Sequence, residues 1–151
     1  MKKTILQIRP LALGILLLFG LTNCKKDAAP SVSDLMKKTW TPQTVREGSS
    51  LVYTKGAATN IKAGYSNFVL NLSGGTSASL TEYEGTTFSG TYEILNDNKL
   101  ILRGLSPKPT GTDGTLEYNI SSVSDTNLEL ARTSASQKTG GSINSYSLIV
   151  R

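Results

Sequence analysis

From Leu51 to the end of the chain, apolar residues recur at every second position in short runs, and this period of two constrains the fold more than any other feature. In "SNFVLNL", Phe68, Leu70 and Leu72 fall on one side and Asn67 and Asn71 on the other. "TFSGTYEIL" sets Phe88, Gly90, Tyr92 and Ile94 against Ser89, Thr91 and Glu93. The alternation continues through Leu116, Tyr118 and Ile120 in "TLEYNIS", Leu128 and Leu130 in "TNLELAR", and Tyr146, Leu148 and Val150 in "INSYSLIVR". Strands with one dry face and one wet face belong to antiparallel sheets.

Polar turn sequences separate these runs. "NDN", residues 96–98, reads as a tight hairpin between "YEIL" and "KLILR". "SGGT" at residues 73–76 is a second turn, and "SPKPTGTDG" (106–114) and "SASQKTGG" (134–141) are connections long enough to be mobile. Asp97 and Asp113 read as turn formers. The single helical segment is "SVSDLMKKTW", in which Ser31 or Ser33 caps a turn or two carrying Leu35 and Met36. About eight strands follow, the number that closes a small barrel, so the expected fold is all-β, an antiparallel up-and-down barrel with a short N-terminal helix. Periodicity alone leaves a β-sandwich open as the other way to bury these faces. No repeat at solenoid or propeller spacing is present.

Ahead of this region, Lys2, Lys3 and Arg9 precede the apolar run "LALGILLLFGL", the layout of a secretory signal peptide. The run falls short of the roughly 20 apolar residues that a spanning helix needs. The expected organisation is a signal segment at 1–23, Cys24 and a polar tether at 24–33, and one domain at 34–151. Cys24 is the only cysteine, so no disulfide holds the domain and its core must suffice. Lys2, Lys3 and Arg9 supply three of the net +5, and the remaining basic residues are scattered. No nucleic-acid surface is expected.

Histidine is absent, which removes Ser-His-Asp and Cys-His triads and the usual zinc ligand sets, so neither a metal nor a cofactor is expected. Glu82 and Glu84 in "LTEYEGT" would share a face of a strand, and a retaining glycosidase needs its carboxyls about 5 Å apart. The plainer reading has them solvating a strand edge beside Tyr83, and no catalytic residue is assigned. Tyr83, Tyr92, Tyr118 and Tyr146 either line a cup, where a ring with a hydroxyl suits a binding pocket, or serve as ordinary strand aromatics.

The stretch "LTNC", Leu21 to Cys24, resembles a bacterial lipobox. The resemblance implies cleavage before Cys24, diacylglycerol on its sulfur and acylation of the new amino terminus, and multiple chains give stable anchoring. The following "KKD" resembles lipoprotein export signals of Bacteroidetes, with a plain solvated spacer as the other reading. A short helix, then "KKTWTPQTV", then a meander of strands ending in "YSLIVR", resembles the lipocalin-like lipoproteins of that phylum. That resemblance implies that Trp40 closes the barrel base, with Arg132 or Arg151 covering its indole, although Lys38 stands where classical lipocalins carry glycine. A plain core aromatic remains the other reading of Trp40.

Two functions follow from this reading. In the first, a lipoprotein of the cell envelope, anchored by Cys24 in the outer membrane, holds a small apolar or amphipathic ligand in its barrel. Phe68, Leu70, Phe88, Tyr92, Tyr118 and Tyr146 would then line the pocket. In the second, a side-chain-filled barrel binds an envelope or host protein through loops 106–114 and 134–141. The face of the outer membrane is left open.

Overall fold

A computed structural model describes residues 29–151, and the expected signal segment, the tether up to residue 28 and Cys24 lie outside them. The helix expected near Ser31 is α1, Val32–Met36. Ser31 caps it: its hydroxyl oxygen accepts the Asp34 amide N–H at 3.1 Å, satisfying a donor the helix start leaves free.

Nine strands follow: β1 (Thr39–Glu47), β2 (Ser50–Thr54), β3 (Val69–Gly74), β4 (Ser77–Thr81), β5 (Thr87–Leu95), β6 (Lys99–Ser106), β7 (Leu116–Val123), β8 (Asn127–Arg132) and β9 (Asn144–Val150). From β3 to β9 each pairs antiparallel with the next, and β9 returns to β1 from Trp40↔Val150 to Glu47↔Asn144. The opposite edge of β1 meets β3 at Thr39↔Asn71 and Trp40↔Leu70, which closes an eight-stranded up-and-down barrel. The sandwich alternative is thereby excluded.

The ninth strand, β2, lies outside the ring and pairs only with the later half of β1, from Thr44↔Thr54 to Glu47↔Ser50. Its free edge is guarded. Thr54 donates its N–H to Asn60 Oδ1 at 2.7 Å and accepts from Asn60 Nδ2 at 3.1 Å, while Val52 O accepts from the Lys62 amide. Such blunting keeps an edge from pairing with another chain.

The turn at "NDN" carries Asn96 and Asp97 at φ 51° and 57°, the paired positive angles of a two-residue hairpin whose twist matches its strands. Gly90 lies opposite a register shift between β5 and β6, where a Cβ would run into the carbonyl oxygen of Arg103. The strand alternation puts Leu70, Leu72, Leu100, Leu102, Leu128 and Leu148 inside the barrel, each 1% exposed or less. Ile101 points outward yet is 3% exposed. The flanking pairs Lys99–Glu117 and Arg103–Glu93 lie on the same face of the sheet, where their aliphatic stems cover it.

α1 stands at one end, the base. Met36 is fully buried there and its carbonyl accepts from Trp40 Nε1 at 3.1 Å, so the one tryptophan buries its ring without leaving the N–H unpaired. Neither arginine is the cation over the indole. Arg132 ends β8 at the opposite end of the barrel, and Arg151 lies exposed on the outer wall. Lys38 takes that place, its Nζ 5.9 Å from the ring centroid and 2.7 Å from the carbonyl of Asp125 in the β7–β8 turn. The residue two before the tryptophan thus carries the covering cation.

Candidate functional site

The open ends of β1, β7, β8 and β9 converge opposite the base, and the chemistry of this fold concentrates at that mouth. Three segments fold across it: a 3-10 turn at Ala63–Asn67, the β4–β5 turn, and the connection from β8 to β9 with its 3-10 turn at Gln137–Thr139. Lys138 from this last connection reaches the β4–β5 turn, where its ammonium lies 2.7 Å from Glu82 Oε2 and 2.7 Å from Glu84 Oε2. Glu82 and Glu84 therefore stand beyond the end of β4, on a turn rather than a strand. They clamp one lysine instead of facing each other as an acid and base.

Burial lowers the pKa of Lys138, but hydrogen bonds to the two carboxylates outweigh this and leave it raised. The same contact with Lys138 lowers that of Glu84. On the other side of the mouth, Lys62 pairs with Glu47 at 2.7 Å, and the Tyr65 hydroxyl donates to Glu47 Oε1 at 2.8 Å. The connection 134–141 is held by its own polar net: the Thr139 hydroxyl donates to Asn144 Oδ1 at 2.9 Å and the Ser142 hydroxyl to the same oxygen at 2.8 Å.

Aromatic rings floor this arrangement. Phe68 stacks on Tyr146 with centroids 5.0 Å apart, Tyr118 meets Tyr146 edge-on at 6.1 Å, and Tyr65 approaches Tyr83 at 5.0 Å. Desolvation raises the pKa of Tyr118 well above that of a free phenol and pushes Tyr146 up to about 12, so both are neutral hydroxyls at physiological pH. Tyr65 is raised as well, chiefly by burial, with Tyr146 and the bond to Glu47 adding to it.

An eight-stranded barrel either holds one small ligand or fills with side chains. Here the space left at the mouth amounts to about 10 Å³, room for roughly one water, and it opens partly to solvent. Of the residues expected to line a pocket, Phe68, Tyr118 and Tyr146 border this cavity. Leu70, Phe88 and Tyr92 do not; they fill the barrel, Tyr92 donating its hydroxyl to Leu72 O at 3.2 Å and Phe88 lying 5.6 Å below the Lys138 ammonium. Tyr83 borders the cavity as a partly buried ring. Two larger, open clefts lie on the outer wall, one of about 490 Å³ around Thr41, Asn67 and Arg151 and one of about 300 Å³ around Asn71, Ser77 and Ser89.

Sequence reading missed Glu47, Tyr65, Arg132, Lys138 and Asn144 as members of this site. The alternation itself, carried one step past Leu130 and one step before Tyr146, puts Arg132 and Asn144 inside the barrel. Lys138 carries no such signal, because its place depends on how an irregular connection folds back. Among the described residues no group of three or more acidic or cysteine side chains is placed to hold a metal, and no helix is long and apolar enough to cross a membrane.

No protein-family model matches this sequence, and no curated protein matches it. Among solved structures, the chain is similar to a lipocalin-like protein from Bacteroides uniformis ATCC 8492, with a TM-score of 0.44 and 16% sequence identity over 76% of this chain and 96% of the other.

Proposed function

We propose that this chain is a non-catalytic, lipid-anchored protein of the cell envelope whose barrel binds a small polar molecule at its mouth. The signal layout and "LTNC" support anchoring through Cys24, and the outer membrane is the proposed location. The observation that carries the binding reading is the distribution of space and polarity. Below the mouth the barrel is packed with leucine and aromatic side chains, whereas the cavity at the mouth is walled by hydroxyls, an amide and charged groups as well as rings. A ligand with a long apolar body has no room in this arrangement, which moves the expected chemistry from apolar to polar and the expected site from the depth to the rim. The aromatic floor gives shape and the polar side chains give orientation, the usual division of labour in a small-molecule site.

Native mass spectrometry of the detergent-extracted chain tests this. A small polar mass released on denaturation supports the mouth as a binding site. A clean apo mass that persists after incubation with cell-envelope extract overturns it, and turns attention to the filled barrel as a scaffold for a protein partner.

A further inference from the structure

Arg132 is 7% exposed and its Nε has no hydrogen-bond partner among the described residues. A guanidinium removed from water is normally paired, because burying an uncompensated charge is costly. The acidic groups nearby are engaged elsewhere: Glu82 and Glu84 hold Lys138, and Glu47 holds Lys62 and Tyr65. Arg132 belongs to none of these ion pairs, and it lines the cavity at the mouth together with Tyr118, Ser136, Asn144 and Tyr146.

The polarity of the surrounding hydrogen bonds points the same way. Asn144 Oδ1 accepts from Thr139 and Ser142, and its amide nitrogen donates to the Tyr146 oxygen at 3.4 Å. The Tyr146 proton is thereby left free to donate. The wall of the space carries two cations, Arg132 and Lys138, and one carboxylate, Glu82, which Lys138 already holds at 2.7 Å, so Arg132 with the phenolic O–H donors is left as the complement of a negative charge.

From this we propose that the mouth is a small-anion site, with Arg132 as the charge partner and the hydroxyls of Tyr118 and Tyr146 as donors, sized for one monatomic anion such as chloride, or for a formate whose far end reaches the opening of the mouth. The inference rests on the reading of the mouth as a binding site and names the chemistry of its ligand. A space of about 10 Å³ is too small to take in a phosphate group, so the anion that enters is a small one.

The test uses the full chain in non-ionic detergent, unfolded by heat and followed by the fluorescence of Trp40. Sodium chloride or sodium formate is exchanged for sodium gluconate at constant ionic strength, and gluconate is too large to enter. The expected result is a saturable rise of about 4 °C in the melting midpoint with chloride or formate, as selective binding to the folded state requires. Arg132→Met should abolish that rise and Arg132→Lys should retain part of it. Should Arg132→Met fail to fold, Tyr146→Phe together with chloride NMR line broadening on the unmodified chain gives the same reading: broadening that formate removes, and that the variant weakens several-fold. Identical midpoints in chloride and gluconate, with no line broadening, overturn the anion assignment and leave a water between Arg132 and Glu82 as the filler. A neutral molecule found by native mass spectrometry in that case would keep the mouth as a binding site, so failure of the anion and failure of the site are told apart.

Discussion

Lys138 and Glu82, 56 residues apart in sequence, meet at 2.7 Å with side chains only 16% and 14% exposed. The contact ties the β8–β9 connection to the β4–β5 turn and draws the lysine stem over Phe88. Because it is mostly shielded from water, it should matter more than an exposed pair. Lys138→Ala leaves two carboxylates facing each other and strips the cover from Phe88, so a loss of about 1–3 kcal/mol in urea unfolding is expected, between the surface and buried limits. Glu84→Gln, on the half-exposed partner, should cost less than about 1 kcal/mol. Equal losses for the two variants would show that burial does not distinguish these contacts.

The same clamp sets a response to acid. Glu84 titrates below its ordinary value because Lys138 donates to it, so in the folded state it holds its charge to lower pH than in the unfolded chain. Its contribution is present above the unfolded pKa near 4.5 and disappears as pH falls through the lowered folded value. Stability measured from pH 6 downward, in steps from about 5 to 3, should fall less steeply in Lys138→Met than in the parent chain. Parallel curves for the two proteins would remove Lys138 as the source of the acid dependence.

Much of this fold was legible because its strands obey one rule. Phe68, Leu70 and Leu72, then Phe88 and Tyr92, then Leu128 and Leu130, all lie on the interior that their period of two requires. The paired positive angles at Asn96 and Asp97 follow equally from local chemistry. The site was less legible because it is assembled from chain ends and connections. Periodicity describes residues within a strand, whereas Lys138, Tyr65 and Glu82 reach the mouth through irregular backbone whose path depends on tertiary contacts. Arg132 was in register with the interior all along, but a charged residue at an inward position contradicts the expectation that such positions are apolar. That contradiction was the available clue.

Trp40 is fully buried at the base, held by its N–H on Met36 and covered by Lys38. Its emission should be blue-shifted in the folded chain and inaccessible to an aqueous quencher. Trp40→Ala should cost about 3–5 kcal/mol, the range for emptying a large aromatic from a core. Lys38→Ala should cost about 1 kcal/mol, since it removes a cation–π contact and the hydrogen bond to the Asp125 carbonyl without opening a cavity. A quenchable tryptophan would show that the base is open to water.

Alkali should unfold the chain through its tyrosines. Burial raises Tyr118 well above its ordinary value of 10.0 and Tyr146 to about 12, with Tyr65 raised as well, so the folded state keeps these phenols protonated where the unfolded chain would release the protons. The unfolded state therefore binds fewer protons above pH 10, and stability falls with rising pH. The stabilisation is fully present below the unfolded value of 10.0 and is lost as pH climbs through the Tyr146 value of about 12. Phenolate absorbance should then appear in one cooperative step that coincides with loss of the far-ultraviolet strand signal, and Tyr118→Phe should move that step to higher pH. Gradual ionisation of all six tyrosines below pH 11, with the strand signal intact, would mean that the aromatic floor of the mouth is wet.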